Sequence, residues 1–178
     1  MIGVYRSEEQ VVRLRVRGLE AVAADVERMD LEDTFGVIVA ADNIEHVENC
    51  GLFLERVRLH LEPGGSLLVS TPNPTSFVRI LELLVYGRTK ANIKHTAWYT
   101  AQVLDQLARR RGLRVVEQVF IDEMHRYHAP ERRAAGAGFG KTLLASSLVG
   151  LNRVICQLFR QLSETFGFVL RIDDGSGS

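Results

Sequence analysis

Cysteine is scarce in this chain of 178 residues: the only two, Cys50 and Cys156, stand at no metal-ligand spacing. Charge of one sign is lacking as well. Lys and Arg number 22 against 22 Asp and Glu, with a pI near 7.0, which argues against a dedicated nucleic-acid binder. No long apolar run is present, because the stretch from Leu143 to Leu151 is broken by Ser146, Ser147 and Gly150 and is too short to cross a hydrocarbon core about 30 Å thick. No charged-then-apolar leader follows Met1. These absences predict a reduced, cytoplasmic protein without a transmembrane segment. What is there is a 46% hydrophobic composition at the length of one ordinary domain, so residues 1–178 are expected to close around a single core.

Short β-branched runs alternate with stretches of helical period, the pattern of a parallel α/β sheet. The expected strands are Ile2–Tyr5, Glu20–Ala24, Gly36–Ala40, Ser66–Ser70, Arg114–Ile121 and Gly167–Ile172. Val37-Ile38-Val39 and Leu67-Leu68-Val69 are continuously apolar, which predicts central strands covered on both faces. Between them Leu52, Phe53, Val57 and Leu61 repeat at helical spacing until Glu62-Pro63-Gly64-Gly65 stops the helix. Thr100 is expected to cap a helix carrying Val103, Leu104 and Leu107, which Gly112 ends. Residues 127–140 read as an irregular connection. After them Leu144, Leu148, Leu151, Ile155, Leu158 and Leu162 predict a long amphipathic helix that supplies core or dimer surface.

The segment from Phe35 to Val47 places polar groups directly after a buried strand, at the carboxyl edge where open α/β sheets bind ligands. With a helical turn opening at Asn43, the side chains of Asp42, Glu45 and His46 stand at i, i+3 and i+4 and converge on one side. Two carboxylates and an imidazole so placed suit a divalent cation. The competing account makes Asn43 a helix cap, Glu45 a dipole partner and His46 a packing residue. Ala135 to Thr142 nearly matches a phosphate-cradling loop, but no buried strand precedes it, so nucleotide binding is not expected there. Arg109-Arg110-Arg111 reads as a solvated helix end.

Several pieces in order resemble class I S-adenosylmethionine-dependent methyltransferases. They are Glu45-His46 after the apolar strand, Phe53-Leu54 to Val57, Leu61-Glu62-Pro63-Gly64-Gly65, Leu68-Val69-Ser70-Thr71-Pro72-Asn73 and His95-Thr96-Ala97-Trp98-Tyr99-Thr100. The likeness is to the subgroup of ubiquinone-biosynthesis O-methyltransferases. It implies a Rossmann-like methyltransferase sheet, mostly parallel with an antiparallel last strand, here without the family's first strand and its glycine-rich loop. Relative to the family the chain is N-terminally truncated.

On the cofactor side the resemblance implies S-adenosylmethionine held by Tyr5, Asp25, Val26 and Ala41. Tyr5 takes the place of the family's ribose-binding acid, a phenol making one bond where a carboxylate makes two. Asp25 accepts from the adenine amino group and Val26 packs on the ring. On the acceptor side it implies Asp42, Glu45, His46 and His95 as ligands of Mg²⁺ or Mn²⁺, or His46 as general base with Glu45 beside it. The expected activity is O-methylation of a small-molecule or sugar hydroxyl in biosynthesis. The alternatives are a catalytically silent scaffold, favoured by weak cofactor binding without the glycine loop, and a metal-dependent RNA 2′-O-methyltransferase, which the neutral charge disfavours. Unpaired sheet edges predict a homo-oligomer.

Overall fold

The structure, a computed structural model, describes residues 1–89, 92–121 and 150–173. The irregular connection expected at 127–140, the near-match to a phosphate loop and the first part of the long helix lie outside them. In chain order the elements are β1 (Ile2–Tyr5), α1 (Glu8–Val16), β2 (Glu20–Ala23), β3 (Phe35–Ala41), a 3-10 turn (Ile44–His46), α2 (Cys50–His60) and β4 (Leu61–Pro72). There follow α3 (Phe77–Tyr86), α4 (Ala101–Arg109), β5 (Leu113–Ile121), a helical stretch at 150–158, a second 3-10 turn (Arg160–Leu162) and β6 (Thr165–Ile172). Among the described residues no helix is long and apolar enough to cross a membrane.

The strands form two sheets, β1-β2 and β3-β4-β6-β5. β1 pairs with β2 in parallel, β3 pairs with β4 in parallel, and β6 runs antiparallel to both β4 and β5. This is a mostly parallel, Rossmann-like arrangement with an antiparallel last strand. β1 and β3 are not hydrogen-bonded to each other, so the ladder is interrupted between them.

The core follows from alternation along the strands. Leu67, Val69 and Thr71 of β4 point inward and are at most 3% exposed. Phe53, Leu54 and Val57 of α2 and Leu104 and Ala108 of α4 pack over them, with Phe166, Phe168 and Leu170 of β6. A fully buried Leu or Phe contributes roughly 1.5–3 kcal/mol, so each of these core side chains is a substantial stabilising contact. Asn49 caps α2 by accepting from the Leu52 amide, and Thr100 caps α4 by accepting from the Val103 amide as its position predicted. Gly65 sits where β3 and β4 meet: a Cβ there would lie 2.9 Å from the Glu62 carbonyl oxygen and 3.1 Å from those of Phe35 and Gly36. Only glycine lets those backbones approach.

Two expectations are corrected. The apolar runs of β3 and β4 are not covered on both faces, since Val37 is 59% and Val39 66% exposed while Ile38 and Ala40 face the core. Strand alternation sends every second side chain to the face that α2 and α4 do not reach. The stripe expected from Leu144 to Leu162 does not supply core where it is described. Leu151, Val154 and Leu158 are exposed, and the buried positions are Asn152 and Cys156, one turn apart. The Cys156 thiol donates to the Asn152 carbonyl Oδ1 at 3.6 Å and lies 3.5 Å from the Leu162 carbonyl oxygen, so polar partners settle which side turns inward. The helical stretch stops at residue 158, and Leu162 belongs to the 3-10 turn.

Candidate active site

The parallel pair β3 and β4 delivers its carboxyl ends to one edge, and a cavity of about 490 Å³ opens there. Asp42, Glu45 and His46 from the turn after β3 line it, with Pro72 and Ser76 after β4, Arg79 and Glu82 of α3, and His95. The turn begins abruptly because Asp42 takes a left-handed backbone (φ 48°), sparsely populated for a residue with a side chain. Its amide donates to the Ser70 carbonyl oxygen and hydroxyl, both at 3.1 Å, while the Ser70 hydroxyl donates back to the Asp42 carboxylate at 3.0 Å. That reciprocal pair holds the strained residue in place.

The next turn is 3-10, and Asn43 makes no side-chain cap. Its carbonyl Oδ1 is buried without a partner among the described residues. The capping account of this segment therefore fails. Glu45 is 2% exposed and its Oε2 accepts from the buried Thr71 hydroxyl at 3.1 Å. His46 places Nδ1 3.1 Å from the Lys94 carbonyl oxygen. A carbonyl only accepts, so Nδ1 carries the proton and Nε2 is left as an acceptor. His95 stands edge-on to His46 with ring centroids 4.8 Å apart. One ligand atom from each of Glu45, His46 and His95 lies within 4.8 Å of the others. Asp42 shares the cavity but is not part of that trio.

Burial of Glu45 raises its carboxyl pKa above the ordinary 4.5, with the Thr71 hydrogen bond opposing in part. Burial, His46 and Arg79 lower that of His95 below 6.5. A raised carboxyl contributes stability that is complete below 4.5 and is lost as pH rises through the folded value. Glu45→Gln keeps an acceptor for Thr71 and cannot ionise, so its melting temperature should not show that decline. Thermal melts of both proteins across this range test it, since His95 contributes equally to each. Parallel pH profiles would mean that the carboxyl titrates ordinarily.

On the expected cofactor side, Tyr5 ends β1 and is 38% exposed. Its ring folds back over Gly3, where a Cβ would come within 2.6 Å of it. Asp25 is exposed after β2 and accepts from the Glu27 amide, Val26 packs against the core, and Ala41 ends β3 exposed. These residues are not bound to one another, and none of them lines the cavity described above.

Sequence reasoning missed Thr71, Thr96, Arg79 and Glu82. Arg79 pairs with Glu82 at 2.9 Å and lies 5.1 Å over the Trp98 ring. Their i, i+3 spacing on the apolar segment 77–86 is the signal that marks one helix face.

A family profile described as methyltransferase domain matches residues 4–118. The ubiquinone biosynthesis O-methyltransferase of Nitrobacter winogradskyi is 36% identical over 98 residues, 52% of this chain and 38% of that protein. Its counterpart in Rickettsia conorii is 33% identical over 60 residues, 34% of this chain and 21% of that one. The chain thus spans well under half the length of these curated relatives. Among solved structures, an S-adenosylmethionine-dependent methyltransferase from Archaeoglobus fulgidus superposes with a TM-score of 0.61 at 18% identity, covering 95% of this chain and 74% of that one. The cyclase SpnF superposes at 0.58 with 14% identity, covering 96% and 66%. At such identities the likeness is one of fold, and that fold also serves a protein named for a different reaction.

Proposed function

The chain belongs to the methyltransferase-domain family, and on that premise we propose that it binds S-adenosylmethionine and transfers its methyl group to a hydroxyl of a small molecule. The observation that carries this reading is the cluster of Glu45, His46 and His95 at the carboxyl edge of β3 and β4. S-adenosylmethionine would supply an electrophilic methyl group on a sulfonium, whose sulfur would keep the electron pair of the broken bond and leave as the neutral thioether of S-adenosylhomocysteine. The acceptor must lose its hydroxyl proton. His46 takes it on Nε2, because its other nitrogen is committed to Lys94. Tyr5, Asp25, Val26 and Ala41, at or just after the ends of β1, β2 and β3, would hold the cofactor, Tyr5 toward the ribose and Asp25 toward the adenine amino group.

A second reading has a specific support. A ligating imidazole ordinarily gives its other N–H to a backbone carbonyl, as His46 does, and the trio offers one oxygen and two nitrogens to a divalent cation. Glu45, His46 and His95 would hold Mg²⁺ or Mn²⁺, with Asp42 beside them, and the ion would supply a Lewis acid that lowers the acceptor's pKa. An RNA acceptor is disfavoured, because the cavity lining carries four carboxylates and, of Lys and Arg, only Arg79, which Glu82 already pairs.

Calorimetric titration with S-adenosylhomocysteine, with and without EDTA, tests the proposal. Saturable binding is expected. No binding would leave the chain as a silent scaffold of the same fold. Methyl transfer abolished by EDTA would favour the cation, and transfer indifferent to EDTA would favour His46 alone.

A further inference from the structure

The reacting corner is assembled from two segments about fifty residues apart, and Thr96 bonds one to the other through both its amide and its hydroxyl. The Thr96 amide donates to the Glu45 carbonyl oxygen at 2.7 Å. Its hydroxyl lies 2.6 Å from the Val47 carbonyl oxygen and 3.0 Å from that of Glu45, so its single proton is shared between the carbonyls of the residues on either side of His46. One residue earlier, the His95 amide donates to the Asn92 carbonyl oxygen at 2.9 Å, and the Asn92 side chain accepts from the Lys94 amide at 3.1 Å. The strap from Asn92 to Thr96 is therefore internally folded, and it returns the Lys94 carbonyl to His46 Nδ1.

We propose that Thr96 is the positioning residue of this corner: by bonding both the Glu45 and Val47 carbonyls it seats His95 against His46 and fixes which nitrogen of His46 faces the cavity. The role deepens the reading of His46 and His95 as the reacting pair and rests on it. Physically, a threonine outside a helix or strand offers the strap two donors in one residue, amide and hydroxyl, and both meet backbone acceptors between Glu45 and Val47. The residue is exposed on its outer side, so water competes for the hydroxyl once the strap opens. The bonds order the strap only while both donors are present.

The test is nuclear magnetic resonance on the whole chain with Thr96→Val and Thr96→Ser. In the wild type the His46 ring should show the tautomer protonated on Nδ1 and an Overhauser contact to the His95 ring. Its Thr96 amide should exchange slowly. Thr96→Val should lose the ring contact and the tautomer bias while the Leu67 and Leu170 amides keep their positions, and Thr96→Ser should restore both. Retention of contact and tautomer in Thr96→Val overturns the proposal, and so does a wild-type Thr96 amide exchanging as fast as open chain. That wild-type measurement decides the matter even if Thr96→Val does not fold. None of these readouts needs methyl transfer, so failure of the positioning role and failure of the functional reading on which it rests are told apart.

Discussion

Asn73→Ala should lower the free energy of unfolding by about 3 kcal/mol, the sum expected when more than one buried partner is left unpaired at 1–3 kcal/mol each. Asn73 is 1% exposed. Its amide nitrogen donates to the Gln161 and Ser163 carbonyl oxygens at 2.9 and 2.7 Å, and its Oδ1 accepts from the Thr75 amide and hydroxyl, both at 2.8 Å. One side chain thus ties the end of β4 to the chain entering β6, and four polar groups lose their partner together. Asn73→Asp should be at least as damaging, because a carboxylate can still accept from Thr75 but sets negative charge against two carbonyl oxygens. Urea unfolding of both variants measures the effect. A loss below about 0.5 kcal/mol, the range of an ordinary surface change, would show that water replaces these bonds freely. The same junction shapes the cavity, since Pro72, Ser76, Glu164 and Thr165 line it on either side of the Asn73 contacts.

His46→Ala should slow methyl transfer by about 10²–10⁴-fold, the usual contribution of a positioned general base, with S-adenosylhomocysteine affinity unchanged. The direction follows from geometry: His46 lines the cavity and commits Nδ1 to the Lys94 carbonyl, while Tyr5, Asp25 and Val26 are not among the lining residues. Single-turnover transfer measured beside calorimetry separates the two quantities. Equal transfer by the variant would remove His46 from the reaction, and lost affinity with lost transfer would mean that the ring serves cofactor binding or folding instead. His46→Gln offers an intermediate, since an amide nitrogen can still donate to Lys94 but takes no proton.

The strands illustrate how much of the fold the chain states locally. β1 and β3, the latter one residue longer at each end, lie where their β-branched runs place them, and Thr100 and Gly112 bound α4 as their chemistry requires. These are short-range signals, carried by the period of the side chains and by the backbone preferences of single residues. α3 escaped notice for the converse reason. Its ten residues are apolar except Arg79 and Glu82, none is buried, and so few polar positions leave little period to distinguish helix from strand.

The corner itself divides along the same line. Sequence alone determined that Asp42, Glu45 and His46 arrive together after an apolar strand, because they lie within one short segment, 42–46, whose polarity changes abruptly. Resemblance, not spacing, brought His95 to them. What tertiary structure alone decided is how the four divide. Asp42 turns to Ser70, Glu45 is buried on Thr71, and His46 gives its proton to Lys94 with His95 at its edge. Each partner lies 26 to 49 residues away in the chain. Hydrogen bonds at that separation depend on how β3, β4 and the strap pack in space, and no local pattern of residues encodes the distance between them.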